Sequence, residues 1–152
     1  MSIKKTSLLI ICIVVIFLCF LLLRSVMLEN KKKFSGVALT FDDHSVENWY
    51  KARPLFKKYG AKVTFFIDKI HKFDRNELNM LKILKEDEHE IACHGFNHLN
   101  ATDFIQNNSL NEYLNSEIYP AIGLMVYRGF SPKSFAYPFG ARSKKVDEIL
   151  LK

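Results

Sequence analysis

The sequence predicts an α/β domain built on a parallel sheet or barrel, and three observations carry that expectation. Short apolar runs alternate with amphipathic stretches at helical spacing, strand then helix, four times over. The first run ends in two adjacent carboxylates, Asp42 and Asp43, and the third ends at His94. Charged and metal-ligating residues at the carboxyl ends of strands are where such sheets place their chemistry. With the N-terminal leader set aside, the remaining length suits one domain.

The elements follow in order. Val37 to Phe41 is a continuous apolar run, the pattern of a strand covered on both faces. Glu47 to Tyr59 reads as a helix with Trp49, Tyr50, Leu55, Phe56 and Tyr59 available for its inner side. Pro54 predicts a kink or a late start there, and Gly60 a stop. Val63 to Ile67 is the second strand. Asp74-Arg75-Asn76-Glu77 is a capping box opening a helix that carries Leu78, Leu81 and Leu84. Glu90 to Cys93 is a short third strand. Ser109-Leu110-Asn111-Glu112 is a second capping box. Its helix buries Leu110, Leu114, Ile118, Ala121, Ile122 and Met125, and Pro120 should bend it. Phe135 to Tyr137 is the fourth strand, Pro138-Phe139-Gly140 a turn, and Ser143 to Lys152 begins another helix.

The leader has its own logic. Lys4 and Lys5 precede an unbroken apolar run from Leu8 to Leu23. Its length is slightly under the roughly 17–25 residues that span a bilayer. Thr6 and Ser7 can extend it, and Arg24 can snorkel to the interface. No small-x-small cleavage site follows in Arg24-Ser25-Val26-Met27-Leu28, so residues 1–28 are expected to be an uncleaved transmembrane anchor rather than a removed signal peptide. Flanking charges are nearly balanced and do not fix the orientation. Residues 29–36 form a linker, and the domain runs from 37 to 152.

Charge narrows the function classes. The chain carries a net +6, but residues 1–33 hold six Lys/Arg against one acid, whereas residues 34–152 hold sixteen against fifteen. The basicity belongs to the leader, and the folded part has no nucleic-acid footprint. Of three cysteines only Cys93 lies in the domain, so no disulfide can form within it.

Two neighbouring carboxylates repel, and keeping both ionised needs a cation or open water. Asp43, His94 and His98 supply the donors for a divalent metal, zinc foremost. Asp42 is then free to act as a general base. The backbone N–H of Phe139, after Pro138, can donate to a developing oxyanion. Each part has a bland reading alone: an incidental His-x-x-x-His pair, a solvated acidic turn, an ordinary Pro-Phe-Gly turn. Their joint placement at the ends of expected strands favours the chemical one.

At these residues the chain resembles the polysaccharide deacetylases, the NodB-homology or carbohydrate esterase 4 group. Thr40-Phe41-Asp42-Asp43 is similar to that family's first motif and His94-Gly95-Phe96-Asn97-His98 to its second, His-[Ser/Thr]-x-x-His. Gly60 to Phe66, Glu88-His89-Glu90-Ile91 and Ser134 to Gly140 resemble further stretches of the family. The resemblance implies a distorted (β/α) barrel with its site at the carboxyl ends of the strands. It implies Asp42 as general base, and Asp43, His94 and His98 as metal ligands. It implies removal of N-acetyl, sometimes O-acetyl, groups from polymers such as chitin, peptidoglycan or poly-N-acetylglucosamine. The expected partners are thus an N-acetylated polysaccharide and the membrane, with a single-pass anchor and an extracytoplasmic domain.

The chain departs from the family pattern at several positions. Gly95 replaces the hydroxyl residue of the second motif, and His44 the usual Gly after the acidic pair. Ala136 stands where many members carry an Arg that orients the base. Family domains continue for several more strands and supply a late His as general acid, and nothing after Phe139 matches it. The expected fold is therefore a partial (β/α) barrel of this type, truncated after about four strands, with an open sheet edge. The alternative function is a catalytically impaired remnant that binds metal or glycan without turnover. A receiver-like signalling domain also places an acidic pair after its first strand, but needs an Asp after the third, where this chain has His94. Other conspicuous residues have structural readings: His71 in a solvated loop, His89 as a buttress of the third strand, Cys93 as a small core residue, and Trp49 and Tyr50 as helix core rather than a sugar-stacking platform.

Overall fold

The computed structural model describes residues 15–20 and 36–151. Residues 15–20 are helical and exposed. Among the described residues no helix is long and apolar enough to cross a membrane. The rest of the expected anchor over 1–28, and the expected linker up to residue 35, lie outside the described residues. The chain divides after Val37, and the sheet belongs to the second unit.

That unit is built on three parallel strands in the order β1 (Leu39–Asp43), β2 (Val63–Ile67), β3 (Glu90–Cys93). The register pairs Asp43 with Ile67 and Ile67 with Cys93. All three strand tips therefore stand level, and the next residues, His44, Asp68 and His94, share one rim. One face of the sheet is packed. Val63, Phe65, Ile67, Ile91 and Cys93 are buried with Trp49, Phe56, Leu81, Leu84, Met125 and Phe130. Trp49 stacks on Phe65 with ring centroids 4.8 Å apart, so it is core and no sugar platform.

Two expectations about strands are corrected. The fourth strand, Phe135 to Tyr137, is a single bridge in which Phe135 pairs with Cys93. Pro132 and Pro138 bracket it, and a proline cannot donate to a ladder, so the pairing cannot lengthen. β1 is not covered on both faces, for every residue in it is exposed. Its apolar run is sufficient for burial, but among the described residues β2 is its one neighbour in the sheet, and only Phe41 finds aromatic partners, in Phe56 and Phe65.

The helices follow the caps. The expected helix over 47–59 is two, α1 (Val46–Lys51) and α2 (Arg53–Tyr59), meeting at Ala52. Pro54 has no N–H for Tyr50 and its ring crowds that carbonyl, which breaks the run. The break resets the helical phase, leaving Leu55 and Tyr59 exposed instead of inward. Gly60 ends α2 in the left-handed region. α3 (Arg75–Glu86) opens on the reciprocal box in which Glu77 N–H donates to Asp74 and Asp74 N–H to Glu77. α4 (Ala101–Asn107) was not expected; Asn100 caps it by accepting from Asp103 N–H. The second box, Ser109 with Glu112, opens α5 (Leu110–Tyr113). A π turn (Leu114–Ile118) and α6 (Tyr119–Tyr127) continue it, with Leu114, Ile118, Ala121 and Met125 buried as the spacing predicts. α7 (Lys144–Leu150) packs Val146 against Tyr113, Leu114 and Ile118 in a second core.

Candidate metal centre at the rim of the sheet

The rim brings together the three expected ligands. Asp43 Oδ1 lies 3.1 Å from His98 Nε2 and 3.7 Å from His94 Nε2. One donor atom from each residue falls within 4.8 Å of the others. Zinc bonds of about 2.0–2.2 Å place neighbouring ligand atoms roughly 3–3.5 Å apart, so the cluster is close to the spacing a cation requires. Asp43 ends β1 with φ at 80°, a left-handed turn that swings its carboxylate over the rim. His94 follows β3 directly and its N–H donates to Ile67 C=O at 2.9 Å, which seats it on the sheet.

The ring of His94 is oriented by backbone. Its Nδ1 lies 2.9 Å from Ala136 C=O. A carbonyl only accepts, so Nδ1 carries the proton and Nε2 keeps a free lone pair facing Asp43. The donor set thus fits a divalent metal: one imidazole is buried and aimed, a second stands beside it with ring centroids 4.9 Å apart, and a carboxylate closes the group. Ala136 acts here through its main-chain carbonyl. Asp42 stands beside Phe66 in the register, exposed, with no hydrogen-bond partner among the described residues. Phe139 has φ at 60° and lays its ring 4.7 Å from that of His98. Its amide N–H is unpaired among the described residues. His98 too is left-handed, with φ at 66°. Such a conformation costs a non-glycine residue about 1–2 kcal/mol, so neighbours must hold it.

Two residues of the rim escaped the sequence reading. Asp68, fully buried after β2, has Oδ1 2.8 Å from His44 Nδ1 and Oδ2 in an ion pair 2.9 Å from Lys69 Nζ. Burial pushes its carboxyl up, but Lys69 and His44 outweigh that and hold it below the usual carboxylate range. It obeys the rule that singled out Asp42 and Asp43, an acid just after an apolar strand. Glu117, also fully buried, accepts from Asn97 N–H and Leu99 N–H at 2.7 Å each. Burial pushes its carboxyl up, and the amides of Leu99, Asn97 and His98 oppose this. Its signal was an acid on the apolar stripe of a helix, next to Ile118.

The structural readings hold. His89 accepts from Val63 N–H at 3.3 Å, and His71 is exposed and stacked on Phe96 at 4.2 Å. The Cys93 thiol is buried and pushed up to about 11, which leaves it inert near neutral pH. A groove lined by Arg53, Phe56, Asp87 and His89 opens at the amino end of the sheet, away from all the rim donors.

A family model for polysaccharide deacetylase matches residues 29–152. Over 102 residues the chain is 31% identical to the uncharacterized protein YlxY of Bacillus subtilis, covering 65% of this chain and 29% of that protein. Among solved structures, the Streptococcus pyogenes deacetylase PplD in complex with acetate matches with a TM-score of 0.65 at 20% identity, over 84% of this chain and 57% of that one. The chitin deacetylase from Colletotrichum lindemuthianum matches with a TM-score of 0.60 at 16% identity, over 74% and 50%. At these identities the structures speak for the fold alone. The chain spans under a third of YlxY and between half and three fifths of these two solved relatives. With its matching family model, its carbohydrate esterase 4 fold and its rim of Asp and His, the chain belongs to the polysaccharide deacetylase family.

Proposed function

We propose that this chain carries the site of a metal-dependent hydrolase that removes N-acetyl, or O-acetyl, groups from a cell-surface polysaccharide. The observation that carries the reading is the meeting of Asp43 Oδ1, His94 Nε2 and His98 Nε2 within 4.8 Å of one another, with the His94 tautomer set by Ala136 C=O. These three residues would hold the cation, zinc being the best match to two imidazoles and a carboxylate. When bound, it supplies Lewis acidity at the scissile acyl group. Asp42, exposed and uncommitted, takes the proton of the attacking water. The Phe139 N–H donates to the oxygen on which negative charge develops. The apolar run from Leu8 to Leu23 would tether the domain to a membrane, on the extracytoplasmic side where the polysaccharide lies.

The alternative, binding of metal or glycan without turnover, is favoured by one observation. β1, which carries both Asp42 and Asp43, is an edge strand exposed along its whole length, so one wall of the site is open to water. Water there weakens every electrostatic contribution to catalysis. Acetate release from a soluble chitin oligomer by the zinc-loaded full chain separates the two. Release that vanishes in His94→Ala and His98→Ala supports hydrolysis. Zinc binding without release leaves the binding reading. Release that survives both substitutions overturns the metal site.

A further inference from the structure

We propose that Glu117 is a positioning residue for the metal centre: its carboxylate holds the Asn97–Leu99 main chain and so sets the left-handed conformation that turns His98 toward Asp43. The inference rests on the metal-centre reading above and deepens it.

The loop from His94 to His98 is docked onto the π turn by several contacts that converge on one helical step. Glu117 accepts from Asn97 N–H through Oε2 and from Leu99 N–H through Oε1, both at 2.7 Å, so the two bonds straddle His98. Glu117 C=O accepts from Phe96 N–H at 3.0 Å. Asn97 Nδ2 donates to Ser116 C=O at 2.9 Å. Pro120 explains why that carbonyl is available: it stands four residues later and has no N–H to offer it. The helix has thus given up an internal bond, and π turns recur where a helix is shaped for a site.

Gly95 fits the same account from the other side. Its φ is 95°, and a Cβ there would sit 2.3 Å from Glu117 Oε1. Glu117 cannot withdraw without releasing Asn97 and Leu99. The carboxylate and the missing side chain therefore belong together, and Gly95 stands in place of the hydroxyl residue because Glu117 occupies its space. Backbone grip from below leaves the imidazole of His98 free on the rim, where it needs no other partner to hold its direction. Residues that orient metal ligands in this way typically change metal affinity about 10–100-fold when altered.

Two variants test this from opposite sides in the full chain. Glu117→Gln keeps the volume but turns one acceptor into a donor facing an amide donor. Gly95→Ala leaves every polar group in place and pushes the carboxylate aside. Each should weaken zinc binding about 10–100-fold in competition with a chromophoric chelator. Each should also shift the visible bands of the cobalt-loaded chain, which report ligand geometry, while the far-ultraviolet circular dichroism stays as in the unaltered chain. If the unaltered chain binds no zinc, the metal centre and this inference fall together. If it binds, and folded Glu117→Gln binds equally with the same cobalt bands, the role of Glu117 alone is overturned. Should Glu117→Gln not fold, Gly95→Ala decides by the same criteria.

Discussion

Two histidines flank the same short strand. His89 stands before β3 and His94 after it, and both are buried. At His89 the backbone donates to the ring, Val63 N–H to Nδ1. At His94 the ring donates to the backbone, Nδ1 to Ala136 C=O. The first arrangement consumes a lone pair and ties β2 to β3 at their amino ends. The second consumes a proton and leaves a lone pair exposed to Asp43. One residue type thus serves as a structural acceptor at one end of the sheet and as a ligand in waiting at the other, and the choice is made by which backbone group meets Nδ1.

The largest effect expected from this contrast is on metal. His94→Ala removes the aimed lone pair and should weaken zinc binding more than about 100-fold, beyond what loss of an orienting partner costs. His89→Ala should leave zinc affinity within about twofold, since it touches none of the rim donors. Zinc titration of both variants checks this. If His89→Ala also abolishes binding in a folded chain, the two ends of the strand do not divide their labour.

The next effect is on stability and runs the other way. The His89 ring lies edge-on to Phe56 and Phe65, with centroids 5.1 and 5.6 Å away. His89→Ala opens a cavity among them and strands Val63 N–H without a partner. Thermal or denaturant unfolding should show a loss of about 2–3 kcal/mol. A loss under about 0.5 kcal/mol would mean that His89 is no buttress.

Much of this was legible because the signals are local. The Asp-Asp pair after an apolar run, the His-x-x-x-His spacing and both capping boxes are short patterns, and the structure realises each where the spacing puts it. What was not legible depends on distant partners. β1 and β2 read alike as apolar strands, yet β2 is buried at every second residue and β1 is exposed throughout, because burial is decided by neighbours rather than by the strand. Phe135 to Tyr137 reads as a strand but contributes one bridge between two prolines. Glu117 sits on the apolar stripe of its helix, but the loop amides it accepts from lie some twenty residues earlier, so its partners are not legible. The positive φ at Asp43, His98 and Phe139 is invisible in residues that are not glycine.

His89 also carries a pH signature. Burial pushes its imidazole below the ordinary 6.5, against the nearby Asp87 carboxylate, while Lys62 and Arg53 push the same way as burial. Its protonated form would place a donor against Val63 N–H. In the window below 6.5 the unfolded chain binds this proton and the folded chain does not. Stability from His89 is therefore complete above pH 6.5 and falls as the pH drops. The loss should amount to about 1.4 kcal/mol for each unit of separation between the two pKa values. His89→Gln should flatten that part of the stability profile between pH 6.5 and 5, and an unchanged slope would show that His89 titrates alike in both states.

The smallest effect isolates what sets that titration. Asp87 is clamped by two guanidinium nitrogens of Arg53, Nε and the terminal Nη2, and Arg53 holds its carboxyl below the usual carboxylate range. Asp87 therefore stays ionised throughout pH 5 to 6.5, folded or unfolded, and adds no slope of its own there. Asp87→Asn removes the one charge that favours the imidazolium of His89 and leaves Lys62 and Arg53 to oppose it. The folded pKa of His89 should fall further, and the acid-side slope should steepen. Above pH 7, where His89 is neutral, the same substitution costs only the half-exposed Arg53 pair, a few tenths of a kcal/mol. A steeper slope below 6.5 with near-normal stability above it thus identifies Asp87 as the group that moderates His89. An unaltered slope would leave burial among Phe56 and Phe65 as the whole cause.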